Sequence, residues 1–224
     1  MSQEAKILAG IGIATLVIVV GASFMFGGAS SPNKAKPAEK ISQDQSKILI
    51  RPDSHMQEVK GAKVTLVEFG DFECPACGAS YPIISQLLIT YKGNMTFVFR
   101  NFPLDMHPNS HIAAEAAEAA GAQGKFFEMY DALYQNQSQW GEDKNPMPLL
   151  QKYAKIIGLD VDAFTSDVKA NKYKDKIQQD LNDGSTLAIS ATPTFFLNGE
   201  KITGGLTYDQ FKTKIDALLK STKQ

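Results

Sequence analysis

The spacing of apolar positions divides this chain into stretches of different character. Residues 62–70, "AKVTLVEFG", are a β-branched, nearly continuous apolar run ending in glycine, the pattern of a buried central strand. In "GASYPIISQLLITYKG" (78–93) the apolar residues fall at helical spacing and a glycine ends the run. "NMTFVFRNF" (94–102) predicts a second strand, completing a strand–helix–strand unit with a right-handed crossover. From Asn109 to about Ile189 the period is almost entirely helical, and "GLDVDAF" offers Asp160 or Asp162 as a helix N-cap. "TPTFFLNGEKITGG" then predicts a β-hairpin turning on Asn198-Gly199, a pair favoured in tight primed turns. "TYDQFKTKIDALLKS" closes as an amphipathic helix with Thr207 as its N-cap. The expected fold class is α/β: a βαβ half, a helical insertion at about 105–189, and a ββα half, together spanning 48–219.

Two further stretches precede that domain. From Ile7 to Phe26 nothing is charged, and twenty helical residues would span about 30 Å, the thickness of a bilayer core. Residues 1–28 therefore predict a transmembrane anchor; a cleaved signal segment is the alternative, with "GGA" at 27–29 as small residues around a cut. Charges flanking the run barely orient it, leaning slightly towards a cytoplasmic C-terminal side. Residues 29–47 are small, polar and proline-punctuated, the composition of an extended linker. A net charge of −1 and no basic stripe argue against nucleic acid as a partner.

The chain's only cysteines, Cys74 and Cys77, stand in "VEFGDFECPACGASYP" at the first strand-to-helix junction. Pro75 suits the first helical position, so Cys74 falls at a helix N-terminus, where free N–H groups and the helix dipole stabilise a thiolate. Cys77 lies one turn on, within disulfide reach. The expected division is an exposed, acidic Cys74 that attacks and a partly buried Cys77 that resolves. A structural zinc would need two more ligands, and 29 residues separate Cys77 from His107, the first of the pair His107 and His111, far from zinc-finger spacing. A purely structural bridge closing so short a loop gains little. Alternation along the strand points Glu68 inward beneath the cysteines, where desolvation would raise its pKa; an edge position with Glu68 solvated is the other reading. Thr192-Pro193 opens the hairpin strand; if cis, it would set the Thr192 backbone beside the cysteines, although most X-Pro bonds are trans. Phe72, Tyr81 and Phe195 offer an apolar rim for unfolded chains, unless Phe72 and Phe195 pack in the core.

Three motifs in order, "VEFGDFECPAC", "RNFPLDMHPNSHIAAEAAEAAGAQGKFFEMYDALY" and "ATPTFFLNGEKITGG", resemble the DsbA family of thioredoxin-fold disulfide oxidoreductases, especially its membrane-anchored bacterial members, over about residues 62–206. The resemblance implies Cys74 as nucleophile, Cys77 as resolving thiol, Glu68 as buried acid and proton relay, Pro75 and Ala76 as the active-site dipeptide, and Thr192-Pro193 as a cis-proline loop that binds substrate. It implies no cofactor beyond the redox-active disulfide, and no metal. The function it implies is an oxidase donating that disulfide to reduced or misoxidised secreted polypeptides; a reductase or isomerase is the alternative, and a tethered substrate-holding or metal-binding module the rival of another class. A monomer on the extracytoplasmic side, reoxidised by a quinone-linked membrane oxidase of the DsbB or VKOR type, completes the expectation. Two positions depart from the family's best-known member. Ala76 stands where that member has histidine, which weakens thiolate stabilisation, and Phe97 replaces the lysine paired with its buried acid, with Arg100 three residues on.

Overall fold

A computed structural model describes residues 41–221; the apolar run at 7–26 and the linker through residue 40 lie outside the described residues. Where the linker composition predicts extended chain, the first described element is α1 (Gln43–Leu49). Ser42 caps it by accepting from the Gln45 N–H while the Gln45 side chain returns to the Ser42 N–H. Leu49 then buries against Val67, Phe69 and Val98. Tertiary burial holds a helix too short to persist alone.

Among the described residues five strands form one sheet in the order β1-β3-β2-β4-β5. They are β1 (His55–Gln57), β2 (Val64–Gly70), β3 (Met95–Asn101), β4 (Thr194–Leu197) and β5 (Glu200–Thr203). Only β2 and β3 run parallel, joined by α2 (Pro75–Thr90). The β4–β5 hairpin turns at Asn198 (φ 46°) and Gly199 (φ 81°), the left-handed pair that a primed turn requires. β1 is too short to show alternation in the sequence. The insertion holds α3 (Ser110–Ala122), α4 (Phe126–Gln135), the single turn α5 (Gln137–Trp140), α6 (Met147–Ile156), α7 (Val161–Lys169) and α8 (Lys174–Thr186). Asp160 caps α7 through the N–H groups of Asp162 and Ala163. Thr207 caps α9 (Tyr208–Ser221), exchanging bonds with Gln210.

Strand alternation divides the core. Val64, Leu66, Phe97, Phe99, Phe195 and Leu197 face α2 and the insertion, together with both cysteines. Val67, Phe69, Val98 and Phe196 face the other way, towards Leu49 and Leu187. Arg100 is one residue out of phase with Phe97 and Phe99, so it lies on the second face and cannot replace a lysine beside Glu68. It is 1% exposed and answers two carboxylates of α8: Nε donates to Asp180 Oδ1 at 2.8 Å and an Nη to Asp183 Oδ2 at 2.6 Å. Its other Nη donates to the carbonyls of Ile48 and Leu49 at 2.8 and 3.0 Å, and Arg51 closes on Asp183 from α1's end. One guanidinium thus joins sheet, insertion and N-terminal helix. We expect Arg100→Met to cost about 3–5 kcal/mol by urea unfolding, because two buried carboxylates lose their partner; a loss under about 1 kcal/mol would contradict this network.

Candidate active site

The site grows from the turn between β2 and α2. Cys74 is the N-cap of α2 (φ −65°, ψ 122°) with Pro75 at the first helical position, and no side chain caps the helix. The first N–H groups are therefore left for sulfur. Cys74 is more buried than its expected role as an exposed nucleophile implies, 6% exposed against 0% for Cys77, with the Thr192 carbonyl 3.5 Å from its sulfur; Pro75 and Ala76 remain exposed. Both cysteines are free thiols.

Their surroundings pull the two sulfurs apart. The Cys74 thiol is lowered to about 5: the Cys77 S–H donates to it, burial opposes, and the Thr192 hydroxyl with the N–H groups of Cys77 and Ala76 adds further donors. Thr192 Oγ1 is buried without a hydrogen-bond partner among the described residues, so its hydroxyl is free to turn to a charged sulfur. Burial pushes Cys77 well above the ordinary thiol range, and the neighbouring charges of Cys74 and Glu68 add to the rise. Glu68 is 1% exposed, on β2's cysteine-facing side between Phe99 and Phe195 in register. Desolvation raises its carboxyl to about 8, opposed by the Tyr130 hydroxyl, which donates at 3.5 Å. Gly70 makes room chiefly for the Phe99 ring beside it: a Cβ there would strike that ring first and then sit 3.0 Å from Glu68 Oε1. Thr192–Pro193 is cis, and the Cys74 thiol lies 3.5 Å from the Thr192 carbonyl. Glu68, Cys74, Cys77 and the Thr192–Pro193 loop thus converge.

Other members escaped the sequence reading. Asp71 is buried and bonded throughout: Oδ1 accepts from the Glu73 N–H (2.8 Å), Oδ2 from the Leu104 N–H (3.0 Å), and His107 Nδ1 lies 2.6 Å from Oδ2. Its carbonyl accepts from the Cys74 N–H and the Tyr134 hydroxyl. Burial disfavours a charge on His107, but Asp71 and the nearby Cys74 and Glu73 prevail and raise its pKa. Gln137 of α5 donates to the carbonyls of Phe72 (2.7 Å) and Cys74 (2.9 Å), holding the Cys74 backbone from the insertion side. Gly78 permits this, since a Cβ there would strike the Gln137 carboxamide. The apolar rim needs correction. Phe72 and Phe195 are core residues, 1% and 0% exposed, packed on Phe99, Tyr130 and Tyr134 and on Phe211 respectively. Tyr81 is half-buried and bonds Asp131. His111 is exposed and lies 3.4 Å from Asp105, and no group of three or more metal-ligating side chains occurs among the described residues.

A five-stranded sheet with a CxxC pair at a helix N-terminus, a buried acid beneath and a cis-proline alongside defines the thiol–disulfide oxidoreductase class. A family model described as thioredoxin matches residues 52–217, and the chain belongs to the thioredoxin family, with the DsbA-like oxidoreductases among its structural neighbours. A variant of alpha-DsbA1 from Wolbachia pipientis is 26% identical with a TM-score of 0.70, covering 80% of this chain and 96% of that one. A thioredoxin-like oxidoreductase from Silicibacter pomeroyi is 25% identical with a TM-score of 0.66, covering 80% of this chain and 99% of that one. BdbD from Bacillus subtilis, 23% identical with a TM-score of 0.69, covers 82% and 97% and shares the fold. Among curated sequences, the Na(+)/H(+) antiporter NhaA 1 of Salinispora arenicola is 35% identical over 222 residues, 94% of this chain but 33% of that protein. NhaA 3 of Salinispora tropica is 40% identical over 156 residues, 69% and 23%. The chain spans a third or less of these relatives, so their names say nothing about transport by this chain.

Two outcomes follow from the geometry. Glu68 titrates near 8 folded and near its ordinary 4.5 unfolded, so the native state holds a proton that the unfolded state releases. Stability from this group therefore falls as pH rises from 4.5 towards 8 and levels above. Glu68→Gln should gain stability over wild type across that window and show the full difference above it; thermal unfolding of the reduced proteins at several pH values checks this, and a difference independent of pH contradicts it. Gln137→Leu should cost about 1–3 kcal/mol, since two carbonyls lose their donor, and should raise the Cys74 ionisation midpoint, read from thiolate absorbance.

Proposed function

We propose that this protein is a disulfide donor to reduced extracytoplasmic polypeptides, working through Cys74 and Cys77 without a further cofactor. The observation that carries the reading is the split between the sulfurs, Cys74 lowered to about 5 and Cys77 raised well above the ordinary range. A dithiol that holds one stable thiolate is favoured over its disulfide, so the disulfide is a strong oxidant.

In the first step a substrate thiolate attacks Cys74 Sγ in the Cys74–Cys77 disulfide. That S–S bond breaks as the mixed disulfide forms, and Cys77 leaves as a thiolate and takes a proton. Glu68, still protonated below about 8, is the donor within the apolar site. A second substrate thiolate then attacks the substrate sulfur of the mixed disulfide, and Cys74 departs as the stabilised thiolate. Two electrons pass to the protein, and the substrate gains its disulfide. The cis Thr192–Pro193 loop presents a backbone carbonyl beside the reacting sulfur, where an extended substrate chain pairs. Reoxidation falls to a quinone-linked membrane oxidase of the DsbB or VKOR type, and residues 1–28 serve as anchor or signal for a monomer outside the cytoplasmic membrane.

Cys74→Ser should abolish oxidative refolding of a reduced model protein, and Cys77→Ser should accumulate mixed disulfides. Wild-type reduction potential should lie well above about −270 mV, the value of a reducing thioredoxin. A potential at or below that value would leave a reductase; undiminished refolding by Cys74→Ser would leave a holding module.

A further inference from the structure

A groove of about 550 Å³ opens beside the turn that carries Cys74, between Pro75 at the start of α2, the Met106–Pro108 loop before α3, and α5 with the residues that follow it. Glu73 and Pro75, which bracket Cys74 in sequence, both line it, whereas Thr192 and Pro193 do not. A chain joined to Cys74 therefore has this groove available in addition to the cis-proline loop. We propose that the groove is a subsite for a lysine or arginine side chain adjacent to the substrate's reacting cysteine. The inference rests on the thiol–disulfide exchange reading but not on its direction.

Charge and shape select that occupant. Glu73 is 8% exposed with one carboxylate oxygen taken by the Asn109 N–H, and the exposed Glu142 lines the same groove. His107 also lines the groove, and its Nδ1 is already partnered by the buried Asp71 at 2.6 Å. In the two loops that carry these lining residues Asp105, Glu142 and Asp143 are exposed, against Lys144 and the Asp71-paired His107. Met106, 79% exposed, together with Pro75 and Pro108, gives the groove apolar walls. A long aliphatic stem lies along such walls while its cationic head reaches the carboxylates. An acidic side chain would meet like charge, and a short polar one would leave Met106 and the prolines uncovered.

The test uses the full-length protein and short single-cysteine peptides, identical except for Lys, Arg, Gln or Glu beside the cysteine. Exchange is timed in both directions, as peptide thiol with the oxidised protein and as peptide–glutathione disulfide with the reduced protein. Because lysine itself lowers a neighbouring thiol's pKa, each rate is divided by that of the same peptide with glutathione disulfide or glutathione alone. At low ionic strength the corrected rates for Lys and Arg should exceed that for Glu by about threefold or more. The ratio should collapse at about 1 M salt, where screening acts within about 3 Å. Glu142→Lys should abolish or invert the ratio, and Glu142→Gln should reduce it. The readout is a ratio within each variant, so a general loss of activity does not enter. Equal corrected rates, a preference for Glu, or a ratio untouched by both substitutions would overturn the subsite. If the protein reduces peptide disulfides but donates none, the donor reading fails while the ratio still decides the subsite.

Discussion

The buried carboxylate of Asp71 is the constraint on which the site depends. It sits in a turn with no secondary structure of its own, between the sheet's central strand and the helix that carries the cysteines. Its two oxygens hold the Glu73 N–H within the turn, and the Leu104 N–H and His107 ring from the loop after β3. Its carbonyl takes the Cys74 N–H and the Tyr134 hydroxyl of α4. A buried carboxylate that lost these donors would bear the whole cost of desolvation. Strand, cysteine-bearing helix, loop and insertion therefore share one set of bonds, and the Cys74 backbone is fixed from several directions.

On that frame, burial produces opposite results in two residues one helical turn apart. Cys74 receives N–H, S–H and O–H donors at a helix terminus, and these outweigh its loss of water. Cys77 lies deeper, with an anionic sulfur and a carboxyl as neighbours, and its charged form is disfavoured by each. Glu68 completes the gradient. Its phase along β2 places it on the cysteine side, where Phe99 and Phe195 flank it and one tyrosine hydroxyl is its bond donor. A carboxyl poised near 8 exchanges protons at neutral pH, which an ordinary solvated glutamate would not do.

Much of this was legible wherever local rules decide. The β2 and β3 runs, the Asn198-Gly199 turn, the Asp160 and Thr207 caps and the proline after Cys74 each carry their physics within a few residues. The same rules contained two signals that went unread. Ser42 and Gln45 have capping-box spacing, which marks α1, and the step from Phe97 to Arg100 changes strand face, which bars Arg100 from Glu68. The rest was not legible. Gln137 stands 63 positions from Cys74 and resembles any surface glutamine until α5 is folded against the turn. Asp71 reads as an ordinary turn residue. Phe72 and Phe195 could form a rim or a core with equal logic, and only the placement of α4 and α9 over the sheet settles them as core.

The absence of an imidazole at Ala76 bears directly on how the thiolate is held. Ala76 is exposed, so a histidine there would have offered a partly solvated cation, screened and modest in effect. The donors that remain are short-range and largely shielded from water: the Cys77 S–H, two N–H groups of the helix terminus and the Thr192 hydroxyl. Such fixed dipoles act at low local dielectric and need no reorganisation when the sulfur ionises. They hold only while the turn keeps its shape, and here the insertion contributes to the chemistry. Gln137 grips the carbonyls on either side of Glu73, and Tyr134 grips Asp71. The Cys74 thiolate is thus stabilised by short-range donors, the Cys77 S–H first, on a turn braced by the helical insertion, rather than by a single charged neighbour in the CxxC dipeptide.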